Sequence, residues 1–264
     1  MTEVTRNYVK ETEKTFRQEI NDSILLSKTY NGLYTVANDE DNTSILSVQS
    51  SMLVESPRII IDNISCVDAL EKYSEGRTCI LVSTSFEKPC EYFTKDKASQ
   101  ETDICNFSFL YNVLASDKFR TFYNWNSIHQ NKRLYSNRAV YIPKVKFANG
   151  KSCNIITCTP PYFNSAVREY KDTFNNETNL DLVISRLNFI KSIAEGNNIK
   201  TLILPDWGCD IDEQSADIMA KCMLKVFNHS FITNIIIAVE NKFNYKVFYD
   251  IFEESGRLEW NSVD

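Results

Sequence analysis

In the stretch KASQETDI, residues 97–104, a carboxamide and a carboxylate stand side by side as Gln100 and Glu101, just ahead of the apolar residues Ile104, Phe107, Phe109 and Leu110. A carboxyl group carried on a polar loop beside a cleft can act as a general acid and protonate a departing oxygen. A second stretch, LPDWGCDIDEQ at 204–214, gathers Trp207, Gly208, Cys209 and Asp210 at the end of an apolar run. Tyr92, Phe93 and Trp207 are of the type that stacks on a base, with packing near strand ends as the competing role. The carboxylates Asp206, Asp210, Asp212 and Glu213 could gather round a cation. They fit a helix start equally well, because the helix dipole draws acidic residues there, and no metal site is expected.

Other chemistries have less material. Cys66, Cys79, Cys90, Cys105, Cys153, Cys158, Cys209 and Cys222 include no C-x-x-C pair, and several lie inside apolar runs such as TCILV. That pattern predicts buried free thiols rather than a disulfide set or a metal centre. His129 and His229 sit in polar stretches and read as solvated residues. The chain has 264 residues, 43% of them hydrophobic, enough for one large folded domain. A formal charge of −6, from 29 basic and 35 acidic residues, argues against a phosphate-binding face and so against nucleic acid. No apolar stretch approaches the roughly 20 residues of a membrane helix, and MTEVTRNYVK lacks a signal peptide's apolar segment. An intracellular, cytoplasmic protein is expected, with the nucleus as the alternative. Only six glycines occur, where about 7% usage would give roughly 18. Backbone cradles for phosphate need glycine, so that consecutive N–H groups can reach the oxygens.

The elements that position these residues follow from periodicity. Residues 2–21 place Val9, Thr12, Phe16 and Ile20 on one helical face. The polar segment 38–44 reads as a loop. Short β-branched runs at 58–62, 78–83, 139–147, 154–159, 200–205 and 234–239 predict strands, most of them buried on both faces. Helical stripes cover 180–194, 215–227 and 244–253. The aromatic stretch DKFRTFYNWNSI, 117–128, is either a helix packed on the sheet or an exposed anchor for a partner. Alternating strands and helices in the second half predict parallel neighbours in a mixed sheet. The expected architecture is a single α/β/α domain, with residues 1–45 as an N-terminal helical extension and 46–264 as the core. In such folds ligands bind beyond the carboxyl ends of the strands, which points to the loops 84–103 and 205–215.

These loops and their strands resemble the microbial type of poly(ADP-ribose) glycohydrolase, a macrodomain family, across nearly the whole chain. Its opening R…ET pattern is seen as Arg6 and Glu11-Thr12. Its P-G-G-G-x7-Q-E-E-x-x-C loop is represented by Pro89, Cys90-Glu91-Tyr92, Gln100-Glu101-Thr102 and Cys105, with the eleven-residue interval from proline to glutamine kept. IITCTPPYF is similar to the strand ending near A-P-N, and LPDWGCDIDEQ to the strand ending in G-A-W-G-C-G-V-F-G-N. The resemblance implies a macrodomain-like three-layer sandwich and an ADP-ribose site drawing on Gln100, Thr102, Tyr92, Trp207, Gly208, Cys209 and Asp210.

The departures fall where the chemistry would be. Cys90-Glu91-Tyr92 replaces the three glycines, Asp210, Asp212 and Glu213 stand in the second phosphate loop, and Val82-Ser83-Thr84-Ser85 replaces the asparagine-bearing strand end. The second glutamate of Q-E-E, the acid, is matched by Thr102, which leaves Glu101 as the catalytic residue only if activity persists. Carboxylates facing a diphosphate are repelled by about 1–4 kcal/mol each. The expectation is therefore a catalytically degenerate member with no cofactor, serving as a protein-interaction or structural subunit or a homo-oligomer. A module for an ADP-ribose-like nucleotide and a residual glycohydrolase are the alternatives.

Overall fold

The computed structural model describes residues 1–32, 56–170, 175–209 and 214–258. Two helices, α1 (Glu3–Thr15) and α2 (Arg17–Leu26), lead into β1 (Lys28–Gly32). Then come β2 (Arg58–Asp62), α3 (Cys66–Tyr73), β3 (Thr78–Val82), α4 (Glu91–Thr94), α5 (Gln100–Phe107), α6 (Leu110–Leu114) and α7 (Arg120–Ile128). The second half holds β4 (Asn137–Lys146), β5 (Ser152–Cys158), α8 (Phe163–Glu169), α9 (Asn176–Gly196), β6 (Thr201–Leu204), α10 (Ala216–Phe227), β7 (Asn234–Ala238) and α11 (Lys242–Glu254).

The strands form one mixed sheet in the order β1-β4-β5-β3-β6-β7-β2. The five strands from β5 to β2 run parallel to one another, β4 runs antiparallel to β5, and β1, antiparallel to β4, points the same way as the five. Each β-branched run predicted as a doubly buried strand lies in this sheet. Successive side chains alternate between two cores: Ile59, Leu81, Leu202 and Ile235 face one helical layer, and Ile60, Ile80, Ile203 and Ile236 face the other. The predicted stripes become α9, α10 and α11, which pack on the first of these faces.

Three expectations change. The single helix expected over 2–21 breaks at Phe16 (φ −116°, ψ 27°), whose ring leaves the helix and packs on Phe109, with centroids 6.0 Å apart. The N-terminal segment also supplies β1, which pairs with β4 from Lys28 opposite Tyr141 to Gly32 opposite Asn137. Of the aromatic stretch 117–128, Phe119, Phe122 and Tyr123 are buried, so packing rather than an exposed anchor is its role. Its remaining aromatic, Trp125, is covered by the Arg138 guanidinium 4.1 Å from its ring and by the His129 ring at 4.0 Å. The 45/46 boundary and the polar loop 38–44 lie outside the described residues.

Candidate functional site

Gln100 and Glu101 do not project from a loop. They form the first turn of α5, whose N-cap Ser99 accepts from the Thr102 N–H. Serine at the cap followed by Q-E-T starts a helix, because its hydroxyl satisfies an amide with no partner inside the helix. The cap turns both side chains inward. Glu101 is fully buried: its Oε2 accepts from the Tyr92 N–H at 2.7 Å and the Phe93 N–H at 3.4 Å, and its Oε1 from the Ser85 N–H at 3.3 Å. Gln100 donates to the Leu81 carbonyl (2.8 Å) and accepts from the Ser83 N–H (2.9 Å), which stitches α5 to the end of β3.

A buried carboxylate therefore occupies the amides that follow Cys90-Glu91. Loss of hydration pushes the Glu101 carboxyl up to about 7; the three N–H donors hold it down but do not offset burial, and the neighbouring Glu91 adds to the rise. Glu91 itself bonds the Ser85 hydroxyl at 2.6 Å and the Lys95 ammonium at 2.6 Å. Its partial burial opposes ionisation, but those two partners outweigh this and bring its carboxyl below the ordinary glutamate range. Thr102, half-buried, donates its hydroxyl to the Lys97 carbonyl at 2.5 Å. A hydroxyl engaged this way offers no proton near neutral pH.

Cys90 has left-handed backbone (φ 46°, ψ 52°), a conformation favoured by glycine. Its side chain is buried in the core. Glu91 and Tyr92, at the same turn, are half-buried.

The second loop is fastened just as tightly. Trp207 is fully buried and donates its indole N–H to the Cys158 carbonyl at 3.0 Å, so it packs and cannot stack on a ligand. Gly208 has φ +83°, and a Cβ there would meet Pro160 Cβ at 3.0 Å and Gln214 Cγ at 3.1 Å. The Cys209 N–H donates to the Asp206 carbonyl, and the Asp206 carboxylate accepts from Asn244 at 2.7 Å. Asp210, Asp212 and Glu213 lie outside the described residues. Ser215 is the N-cap of α10 by backbone geometry, without a side-chain bond.

Two residues that sequence reading passed over tie the loops together. Arg186, fully buried on α9, donates to the Thr159 and Leu134 carbonyls at 3.0 Å and to Asn137 Oδ1 at 3.1 Å. Gln214 donates to the Pro161 carbonyl at 2.7 Å and exchanges amide bonds with Asn179. A charged residue inside the apolar stripe of 180–194 was the available signal. With Thr159 donating to the Thr84 carbonyl at 2.7 Å, the loops after β3, β5 and β6 form one connected rim.

A cavity of about 350 Å³ lies between α3 and α5, lined by Val67, Asp68, Asp103, Phe107, Phe147 and Glu240 among others. None of the ligand-binding residues inferred from sequence lines it. Burial raises the Asp103 carboxyl above the usual aspartate range. Among the described residues no group of three or more His, Cys, Asp or Glu could hold a metal, and no helix is long and apolar enough to cross a membrane. Cys66, Cys79, Cys90, Cys105, Cys153, Cys158 and Cys222 are buried thiols.

A mixed sheet between two helical layers, with loops gathered at the carboxyl ends of its parallel strands, defines a macrodomain-like α/β/α protein. The family model described as "Microbial-type PARG, catalytic domain" matches residues 3–149, over half of the sequence, and the chain belongs to that family. The fold is similar to poly(ADP-ribose) glycohydrolase from Thermomonospora curvata bound to the inhibitor ADP-HPD, with TM-score 0.74 and 17% identity over 95% of this chain and 100% of that one. It is likewise similar to the enzyme from Deinococcus radiodurans in complex with ADP-ribose, with TM-score 0.74 and 17% identity over 90% of this chain and 98% of that one. No curated protein matches the chain.

Proposed function

We propose that this chain is a non-hydrolytic member of the microbial glycohydrolase family, which keeps the α/β/α body as a protein-interaction or structural subunit. The observation that carries this reading is the state of the Q-E-T turn. The position that the resemblance assigns to the acid holds Thr102, bonded to a main-chain carbonyl, and the adjacent Glu101 is sealed inside the fold against three amides. Cleaving a glycosidic bond requires a proton donor at the leaving oxygen, and neither residue supplies one. Gln100 is likewise held by the end of β3.

Incubation with poly(ADP-ribosyl)ated protein tests the reading directly. No ADP-ribose should be released above a buffer control. Turnover that disappears in Glu101→Gln or Thr102→Val would overturn it. Calorimetry with ADP-ribose separates the subunit reading from recognition without cleavage: a flat titration supports the former, and a micromolar isotherm replaces it with the latter.

A further inference from the structure

We propose that Cys90 and Cys105 are a thiol pair that closes into a reversible disulfide, a redox latch between the turn ahead of α4 and helix α5. Their sulfurs lie 3.3 Å apart, with the Cys105 thiol donating to Cys90 Sγ, and both side chains are fully buried. A disulfide is about 2.05 Å long, so the sulfurs need approach by only about 1.2 Å. Cys90 has left-handed backbone, where a side chain is disfavoured and glycine is the usual residue. The side chain carried there is directed at another sulfur. Cys105 lies one helical turn after Glu101, whose carboxylate holds the N–H groups of the two residues closing the Cys90 turn, Tyr92 and Phe93. An ionisable tie thus already joins the elements that the disulfide would join covalently.

The oxidant class is a low-molecular-weight disulfide such as oxidised glutathione. The thiolate of one cysteine attacks it and releases one molecule of glutathione. The second thiolate then displaces the other glutathione from the mixed disulfide, which leaves the Cys90–Cys105 bond. Two thiols lose two electrons and two protons, and oxidised glutathione takes up both to become two reduced molecules. Burial raises both thiols, Cys90 well above the ordinary range. Exchange therefore proceeds through opening of the 84–99 loop and is slow in the closed state. Oxidation holds the turn on α5 and suppresses that opening.

The latch stands apart from the functional reading, since it requires neither cleavage nor its loss. The test incubates the full chain in glutathione buffers of increasing oxidised fraction, quenches with acid, alkylates under denaturing conditions and maps peptides without reductant. The expected result is a peptide joining Cys90 to Cys105 that grows with oxidised fraction and disappears on adding dithiothreitol, while the other six cysteines stay alkylated. The oxidised chain should also melt several degrees higher and resist proteolysis within 84–99. Cys105→Ala should abolish both effects, and Cys90→Ala provides the same control from the other side. Alkylation of both residues across the whole redox range, pairing of either with another cysteine, or a lower melting temperature on oxidation would overturn the proposal. The wild-type measurement decides the outcome even where a variant fails to fold.

Discussion

Glu101 sets two opposed effects against each other, and their balance is measurable. Three N–H donors favour its carboxylate, complete burial favours its acid form, and burial prevails, taking it from the ordinary 4.5 to about 7. The native state therefore binds more protons here than the unfolded chain between those values. Its contribution to stability is full below pH 4.5 and is lost as pH rises through 7, a swing of about 3 kcal/mol. Glutamine at this position cannot ionise, so Glu101→Gln removes that slope while keeping one acceptor oxygen. Urea denaturation at pH 5 and pH 8 should show the variant gaining on the wild type by about 2.5 kcal/mol at the higher pH. A constant difference between the two proteins would show that Glu101 does not titrate in this window. The motif QET was readable in the sequence, but its meaning was not. Whether a glutamate faces solvent or core depends on the N-cap Ser99 and on amides from residues 85, 92 and 93, which only the folded chain brings together.

Among the elements, legibility follows burial. Strands β2, β3, β6 and β7 were readable as β-branched runs because both their faces are covered. Strand β1, KTYNG, has no such run; pairing with β4 makes it a strand, and most of it is exposed. Helix α3 lacked a long stripe, but Ser65 followed by Asp68 is a capping pattern that marks its start. The loop after β6 was readable through its W-G-C sequence, and its geometry gives the glycine a reason. At φ +83°, with Pro160 and Gln214 against the missing Cβ, Gly208 fixes the turn that sends Trp207 into the core. Gly208→Ala should cost about 1–3 kcal/mol through backbone strain and the close approach of Pro160. A lower urea midpoint with reduced Trp207 burial by fluorescence is the expected result, whereas an unchanged midpoint would mean that the turn relaxes freely.

At the scale of the molecule, one sheet serves two cores, so neither helical layer has an apolar face of its own to fold against. Ile80 and Leu81 are neighbours on the central strand β3, yet Ile80 packs with Phe109 and Leu110 in the core beneath α5 and α6, and Leu81 with Leu187 and Trp207 in the core beneath α9 and α10. Truncating either to alanine should cost about 2–5 kcal/mol, from lost transfer free energy and the cavity left behind. Because the strand is common to both layers, loss on one face removes support from the other. With Trp125 and Trp260 replaced by phenylalanine so that Trp207 alone fluoresces, Ile80→Ala and Leu81→Ala should each lower a single unfolding midpoint, with circular dichroism and fluorescence moving together. Separation of the two signals in Ile80→Ala, with the Trp207 side persisting after helix content falls, would show that the layers unfold independently. Coincident curves would place the rim of loops on a body that opens only as a whole, because the sheet they rise from is common to both cores.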